Sequence, residues 1–178
     1  GKRRDALVTA AQLVLAVEAE ATKRAERRVV GTVGILKVAP GALNVVPGRV
    51  ELWADIRAID ETSLAETAVA VRTAAEGIAA RQGTLVTVDT LTSDTPVPMD
   101  PGVMAAIEAA CRRLGVPHQR MPSGAGHDAM NMARIAPAGM IFIPCRAGIS
   151  HNPDEYAAPA DIVRGMDVLT ETLAALAA

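Results

Sequence analysis

The segment Arg49–Ile59 alternates apolar and polar side chains with a period of two. The apolar positions are Val50, Leu52, Ala54 and Ile56, and the other side holds Glu51, Trp53, Asp55 and Arg57. This period predicts a β-strand with one buried face. Val29–Val38 is rich in β-branched residues and precedes a loop of Gly, Pro and Asn, so it is predicted to be the partner strand. A sheet with one apolar face requires a second layer to cover it.

Two helices are predicted, one on each side of this hairpin in the chain. The stripe in Asp5–Arg28 consists of Leu7, Ala11, Val14, Val17 and Ala21, and the stripe of the second helix consists of Leu64, Ala68, Val71, Ala75 and Ile78. Asp60 or Ser63 serves as the N-cap of the second helix, and Gly83 follows its end. Leu85–Leu91 is then predicted to be a third strand.

The resulting order, α-β-β-α-β, is one strand short of the ferredoxin-like β-α-β-β-α-β arrangement. In that arrangement two helices cover one face of an antiparallel sheet. We therefore expect the first strand to be missing, as after an N-terminal truncation. A three-stranded sheet is the alternative.

A change of composition at Thr92–Asp100, a proline-rich stretch, predicts a domain boundary, with domains at residues 1–93 and 94–178. The predicted elements of the second domain are helices at Pro101–Leu114, His127–Ile135 and Ala160–Ala177 and strands at Pro117–Met121 and Ala138–Pro144. Alternating helices and strands indicate an α/β layer. Because so short a layer leaves much of its sheet uncovered, we expect it to be part of a larger domain.

Charge and composition exclude several classes of partner. Lys and Arg number 18 and Asp and Glu 20, which gives a formal charge of -2, and the chain has one Phe, one Tyr and one Trp. A nucleic-acid surface is not expected, because it needs a basic face or aromatic stacking platforms. No apolar stretch is long enough for a bilayer, and Cys111 and Cys145 have no spacing typical of a disulfide framework. These features favour a cytoplasmic protein without membrane contacts.

The first candidate site is the loop 39–48 with the strand that follows it. Arg57 lies on the polar face of this strand, where a guanidinium binds a carboxylate through two parallel hydrogen bonds. Asn44 offers a donor and an acceptor from the loop. The structural alternative is a turn Asn beside a surface ion pair between Asp55 and Arg57, and the first domain alone favours that alternative.

The second candidate site is Ser123–Ala129, where glycines precede a predicted helix. Backbone N–H groups there attract an anion or an oxyanion, Gly126 allows close approach, and His127 adds a donor. The alternative is a turn in which His127 and Asp128 only cap the helix, the more frequent role of a single Gly-rich loop. A serine hydrolase ranks well below metal chemistry, because neighbouring Ser and His side chains rarely converge and no GxSxG elbow is present.

The third candidate site is Gly148–Glu155, just after the predicted strand Ala138–Pro144. Sites collect at the C-terminal ends of strands in α/β sheets, and imidazole is a common ligand of zinc. His151 is therefore a candidate metal ligand. A single His in a loop is nevertheless more often a solvated residue.

Three motifs together resemble a known family: GTVGILKVAPGALNVVPGRVELWADIR, PSGAGHDAMNMA and GISHNPDE. Their order and separation are similar to those of the N-carbamoyl-L-amino-acid hydrolase, allantoate amidohydrolase and β-ureidopropionase branch of the di-metal aminoacylase-like amidohydrolases. The likeness covers almost the whole chain. It implies a lid domain that forms a homodimer, residues 1–93, followed by the C-terminal part of an α/β metal-binding domain, residues 94–178.

The resemblance also implies residue roles. Asn44 and Arg57 match lid residues that hold the substrate, with Arg57 on its α-carboxylate. Gly126 matches a main-chain contact beside the candidate catalytic residue His127, and His151 matches a metal ligand. The family binds two divalent metal ions, such as zinc or manganese, and its other ligands and general base belong to an N-terminal segment with no counterpart here. We therefore expect no turnover from this chain alone.

The implied reaction is cleavage of the carbamoyl C–N bond of N-carbamoyl-L-amino acids, which releases ammonia, carbon dioxide and the amino acid. Allantoate and ureidoglycolate are alternative substrates that the motifs do not separate. An alternative of another class is a non-catalytic dimerisation or binding module, which would self-associate through the edge of its small sheet.

Overall fold

The computed structural model describes residues 3–178, and the chain divides into two compact units, Gly1–Pro96 and Val97–Ala178. The elements of the first unit are helix α1 (Ala6–Thr22), strands β1 (Val30–Ala39) and β2 (Arg49–Arg57) and helix α2 (Glu61–Gln82). The helices of the second unit are α3 (Pro101–Arg113), α4 (Asp128–Met132) and α5 (Pro159–Leu176). Among the described residues, no helix combines the length and hydropathy needed to cross a bilayer.

Strands β1 and β2 form an antiparallel hairpin, as the alternation predicted. Val30 lies opposite Arg57 at one end, and Ala39 lies opposite Arg49 at the other end, beside the connecting loop. The register shifts by one residue around Gly34, which is a β-bulge. The connecting loop and Arg57 therefore lie at opposite ends of the hairpin.

The helices of the first unit begin at acidic N-caps. The Asp5 carboxylate accepts a hydrogen bond from the N–H of Leu7 at 3.1 Å, and the Asp60 carboxylate accepts one from the N–H of Ser63 at 2.7 Å. Gly83 ends α2 with a φ of +63°, a left-handed conformation that glycine adopts without strain. Of the two predicted N-cap candidates, Asp60 caps α2 and Ser63 lies within the helix, and the prediction that Gly83 follows the helix is confirmed.

Helix α1 is shorter than predicted, since it ends at Thr22 and not at Arg28. Arg28 has a φ of 56°, in the left-handed region that a right-handed helix excludes. Ala25–Arg27 forms a single 3₁₀ turn between the end of α1 and Arg28. The basic residues Lys23, Arg24, Arg27 and Arg28 therefore lie in the connection from α1 to β1.

Both helices pack on the apolar face of the hairpin. The buried residues Leu13, Val17, Val71 and Ala75 form this core, and Val33, Leu52 and Ile56 of the strands pack against it. The contact between α1 and β1 is close at Gly31, where an added Cβ would lie 3.1 Å from the Cβ of Ala21. The predicted two-layer arrangement, with helices on one face of an antiparallel sheet, is confirmed.

The predicted third strand at 85–91 is wrong for the described residues, in which β1 and β2 form the whole sheet. Val86 and Val88 do pack against the core, and the carbonyl of Val88 accepts a hydrogen bond from the guanidinium of Arg72 at 2.9 Å. In a split β-α-β arrangement the last strand pairs only with the first. The described residues supply no first strand beside 85–91, so the apolar pattern leads to packing without a ladder.

The second unit is built on two packed helices, α3 and α5. Ala110 and Cys111 of α3 and Val168 of α5 are buried together, and Ile107, Val116 and Ile141 pack around them. Helix α4 has only five residues and is shorter than the predicted His127–Ile135. The apolar pattern therefore located the main helices of this unit but overestimated the short one.

The strands predicted at 117–121 and 138–144 are also absent from the described part of the chain. The second of these segments instead contacts both long helices. An added Cβ at Gly139 would lie 2.6 Å from Cγ1 of Val103 in α3, and one at Gly165 of α5 would lie 2.6 Å from Cγ2 of Ile143. Since a strand requires a hydrogen-bonded neighbour, which the described residues do not place beside either segment, no ladder forms.

Candidate functional site

The hairpin loop presents Asn44 to solvent. The N–H of Gly48 donates to the carbonyl of Ala39 at 3.1 Å and closes the base of the loop. The neighbours of Asn44 are also exposed, with Leu43 fully open and Val45 47% exposed. The loop therefore offers a polar side chain among apolar ones, which suits contact with a ligand or a partner surface.

Arg57 and Asp55 form the predicted surface ion pair on the outer face of β2. Nε of Arg57 lies 2.8 Å from one carboxylate oxygen of Asp55, and Nη2 lies 3.0 Å from the other. The two side chains are 51% and 57% exposed. The hydrogen bonds from Arg57 hold the pKa of Asp55 below its ordinary value, against the opposing effect of partial burial, and the pKa of Arg57 is raised by the same bonds.

The fold does not bring Asn44 and Arg57 together within one chain. The loop adjoins Arg49, while Arg57 is paired with Val30 at the opposite end of the hairpin. The eight residue steps between the ends of β2 correspond to roughly 26 Å at about 3.3 Å per residue. A small ureido acid does not span this length.

The glycine loop of the second unit brings Ser123 and His127 into contact. Their Oγ and Nε2 atoms are 2.7 Å apart. The same Oγ accepts a hydrogen bond from the N–H of Ala125 at 3.1 Å and lies 3.2 Å from its carbonyl oxygen, in geometry for donation. The expectation that these two side chains do not converge is wrong, because the tight turn returns the chain to the serine.

His127 is the N-cap of α4, and its side chain makes no capping hydrogen bond. Its half-buried ring instead packs against Phe142 in an edge-to-face pair, with ring centres 5.6 Å apart at 67°. Among the described residues, no carboxylate hydrogen-bonds to this ring, so the Ser-His-Asp arrangement of a serine hydrolase is not formed. Phe142 was not among the predicted site residues; an aromatic residue in the apolar segment 138–144 was the available signal.

Gly126 precedes His127 on the open side of the loop. A Cβ added there would have no heavy atom within 4 Å, so the main chain is accessible to a ligand. The dipole of α4 is weak at this point, because the helix has only five residues, about one and a half turns. Access to the backbone, more than the helix, distinguishes this position.

The loop that carries His151 is held by its own backbone and side chains. His151 has a φ of +55°, and its N–H donates to the Glu155 carboxylate at 2.9 Å. Arg146 donates to the carbonyl of Asp154 at 3.2 Å and lies over the ring of Tyr156 at 5.0 Å. Arg146, which was not among the predicted site residues, thus connects the two ends of this loop.

Metal coordination needs several converging donors. Residues 3–178 contain no group of three or more His, Cys, Asp or Glu side chains arranged to hold an ion. His151 is exposed and contributes one imidazole. The described residues therefore do not fit a complete metal site by themselves.

Comparison with known families places this chain. The family model for Peptidase family M20/M25/M40 matches residues 8–175. The chain belongs to peptidase family M20/M25/M40. The resemblance drawn from the three motifs is thereby confirmed at the level of the family.

Among curated members related to this M20 chain, a ureidoglycolate hydrolase of Oryza sativa subsp. japonica is 41% identical over 98% of the chain. An N-carbamoyl-L-amino acid amidohydrolase of Geobacillus stearothermophilus is 39% identical, also over 98% of the chain. The chain spans 36% of the length of the first relative and 42% of the second. The names of these relatives confirm the amidohydrolase branch and leave the substrate open.

Solved structures give the same result for the fold. An amidase of the hydantoinase/carbamoylase family from Burkholderia multivorans superposes with a TM-score of 0.90 at 39% identity, over 96% of this chain and 41% of the amidase. A dinuclear metal-binding M20 peptidase of Bacillus subtilis shares the fold at a TM-score of 0.69 and 18% identity, over 94% of this chain and 45% of that protein. The predicted fold class is confirmed by these neighbours.

Proposed function

We propose that this chain is part of a metal-dependent amidohydrolase that cleaves the carbamoyl C–N bond of N-carbamoyl-L-amino acids. In this proposal residues 1–93 are the lid and dimerisation domain, and residues 94–178 belong to the metal-binding domain. A cytoplasmic location is part of the proposal, since Cys111 and Cys145 are both free thiols, as in a reducing compartment.

The observation that carries the proposal is the Arg57 guanidinium on the open face of β2. N-carbamoyl-amino acids and ureidoglycolate, the substrates in the relatives' names, each bear a ureido group and a carboxylate on one carbon. Arg57 already holds the Asp55 carboxylate through two hydrogen bonds. Because this pair is half exposed and worth about 0–1 kcal/mol, a substrate carboxylate can replace Asp55 at small cost.

The remaining roles belong to the second unit. We assign the accessible main chain at Gly126 to a hydrogen bond with the substrate, and we assign His127, fixed between Ser123 and Phe142, to the reacting ureido group. His151 is proposed as one ligand in a site that holds two divalent metal ions, such as zinc or manganese. Its remaining co-ligands are not among residues 3–178.

The test uses the protein encoded by the complete reading frame that contains this chain. Ammonia release is measured with N-carbamoyl-L-amino acids, ureidoglycolate and allantoate, and with an alkylurea that lacks the carboxylate. We expect turnover of at least one ureido acid and none of the alkylurea. Absence of ammonia from every ureido acid, with zinc or manganese supplied, contradicts the proposal. The 41% identity to a ureidoglycolate hydrolase makes ureidoglycolate the leading alternative substrate, and allantoate follows.

Asn44 and Arg57 of one chain are too far apart for one small substrate, so we propose that each site takes them from different copies in a homodimer. Val30 of β1 is 53% exposed and Ile35 50%, on a strand with an open edge in the described residues. An open strand edge beside exposed apolar side chains suits pairing with a second copy.

Mixing two impaired variants of the complete protein, assayed at a substrate concentration well below the wild-type KM, tests this arrangement. Arg57→Ala and Asn44→Ala chains are unfolded together, refolded and assayed. A site built from two copies regains about a quarter of wild-type activity, because half of the dimers are mixed and one of their two sites is intact. A site built from one chain regains none.

A non-catalytic dimerisation module is the alternative of another class, favoured by the same exposed edge of β1. Sedimentation of the 178-residue chain distinguishes self-association from a monomer. Turnover of a ureido acid by the complete protein supports the enzyme proposal. A complete protein that forms a dimer and turns over no ureido acid supports the non-catalytic module instead.

A further inference from the structure

Ser123 occupies an unusual position in the glycine loop, because three polar atoms surround its hydroxyl oxygen. The N–H of Ala125 donates to it at 3.1 Å, the carbonyl oxygen of Ala125 lies at 3.2 Å, and Nε2 of His127 lies at 2.7 Å. A serine hydroxyl has one proton to donate and two lone pairs that accept. All three contacts are therefore hydrogen bonds only if the hydroxyl donates its single proton to one of these atoms and accepts a proton from each of the other two.

The proton count decides the tautomer of His127. One lone pair of Ser123 is used by the N–H of Ala125. If the hydroxyl proton goes to the carbonyl of Ala125, the second lone pair accepts a proton from Nε2, and every contact is satisfied. If the hydroxyl donates to Nε2 instead, the carbonyl of Ala125 loses its donor. The first assignment satisfies three hydrogen bonds and the second satisfies two.

We propose that Ser123 is a positioning residue that holds neutral His127 with its proton on Nε2, so that Nδ1 accepts a hydrogen bond from an N–H of the ureido substrate. This inference rests on the proposed function. Packing against Phe142 restricts rotation of the imidazole, so the accepting atom keeps its direction. Within residues 3–178 the structure gives Nδ1 of His127 no hydrogen-bond partner.

The consequence is a preference for substrates with N–H donors. A carbamoyl group carries a terminal NH₂, whereas a formyl group has only a hydrogen at the same place. An acceptor at Nδ1 therefore favours the carbamoyl compound over its N-formyl analogue by about one hydrogen bond, roughly 2- to 10-fold in kcat/KM. A His127 that faced the ligand with an N–H would show no such preference.

The tautomer is measured by NMR of the ring nitrogens in the isotopically labelled complete protein, at a pH where the ring is neutral. The His127 signals are those lost in His127→Gln. We expect a pyrrole-type Nε2 and a pyridine-type Nδ1. In Ser123→Ala the two nitrogen chemical shifts move toward those of the tautomer mixture in free imidazole. Ser123→Thr and the exposed control Ser93→Ala keep the wild-type signals. A pyrrole-type Nδ1 in the wild type, or an unchanged spectrum in Ser123→Ala, overturns the assignment.

The role in recognition is measured on the complete protein with an N-carbamoyl-L-amino acid and its N-formyl analogue. We expect Ser123→Ala to lower kcat/KM for the carbamoyl substrate 2- to 10-fold relative to the formyl analogue, about the effect of one hydrogen bond, and Ser123→Thr to restore it. An equal loss for both substrates, or no loss, overturns this role. Failure of the proposed function is distinguishable, because it appears as absent turnover in the wild type, whereas the nitrogen signals report on Ser123 and His127 regardless of turnover.

Discussion

The two candidate regions hold their polar groups in opposite ways. On the hairpin, Arg57 pairs with the half-exposed carboxylate of Asp55, two residues away on the same strand. In the glycine loop, His127 is bound by Ser123, whose hydroxyl is itself held by the backbone of Ala125. The first partner is a side chain that a ligand can displace. The second is part of the folded loop and stays in place.

The physical reason lies in exposure and in backbone geometry. An ion pair that is half in water contributes about 0–1 kcal/mol, because solvent screens it and two long side chains lose freedom. A part-buried hydroxyl that joins backbone and side chain is costly to remove, since its partners lose their hydrogen bonds. We therefore interpret the hairpin as an exchangeable carboxylate site and the glycine loop as a pre-organised one.

The largest expected effect comes from the pre-organised region. His127→Gln in the complete protein lowers kcat by about 10²- to 10³-fold, the range for loss of one pre-organised hydrogen-bonding group at a reacting centre. The measurement is ammonia release at saturating substrate. His118→Gln is the control, because His118 is exposed and contacts the carbonyl of Val116. If His127→Gln lowers kcat/KM less than Arg57→Ala does, the hairpin and not the glycine loop makes the larger contribution to activity.

The exchangeable region is tested by Arg57→Ala. Loss of a charge-assisted hydrogen-bond pair raises KM for a ureido acid by roughly 10- to 150-fold, with a smaller change in kcat. Arg49→Ala is the matched control, since Arg49 lies on the same strand and is paired with Glu51. Equal effects of the two arginine variants would contradict a specific carboxylate site at Arg57.

A stability variant separates damage to the fold from damage to a site. Gly139→Ala places a Cβ 2.6 Å from Val103, so we expect the free energy of unfolding to fall by about 1–3 kcal/mol through overpacking. Chemical denaturation measures the change. Gly34→Ala is the control in the hairpin, because no heavy atom lies within 4 Å of its added Cβ. No loss at Gly139 would show that the segment 138–144 is free to move.

The smallest effect belongs to Asp55. Its pKa is held below the ordinary value of 3.8, chiefly by the hydrogen bonds from Arg57. A lowered pKa in the folded protein stabilises it above the unfolded pKa, and this contribution is lost as pH falls through the folded pKa. Because the pair is half exposed, Asp55→Asn should cost under about 1 kcal/mol near neutral pH and nothing in acid. Denaturation of both proteins across that pH range measures the difference, and a larger cost at neutral pH would make the pair structural.

Much of the fold was predictable because its signals are local. The alternation in Arg49–Ile59 and the helical stripes identify elements whose patterns repeat within a few residues. Capping by Asp60 and the left-handed Gly83 depend only on neighbouring backbone. The predicted strands at 85–91, 117–121 and 138–144 failed for one reason. A strand is defined by its neighbour, and an apolar segment does not reveal whether a neighbour is present.

The candidate sites divide along the same line. The sequence by itself determined the family through its motifs, the ion pair of Asp55 with Arg57, and the residue types available for chemistry. Only the tertiary structure decided that Asn44 and Arg57 lie at opposite ends of the hairpin and that Ser123 meets His127. The reason is geometric. Composition and periodicity record what each residue is and which face it occupies, whereas strand register and the path of a turn set the distances between side chains.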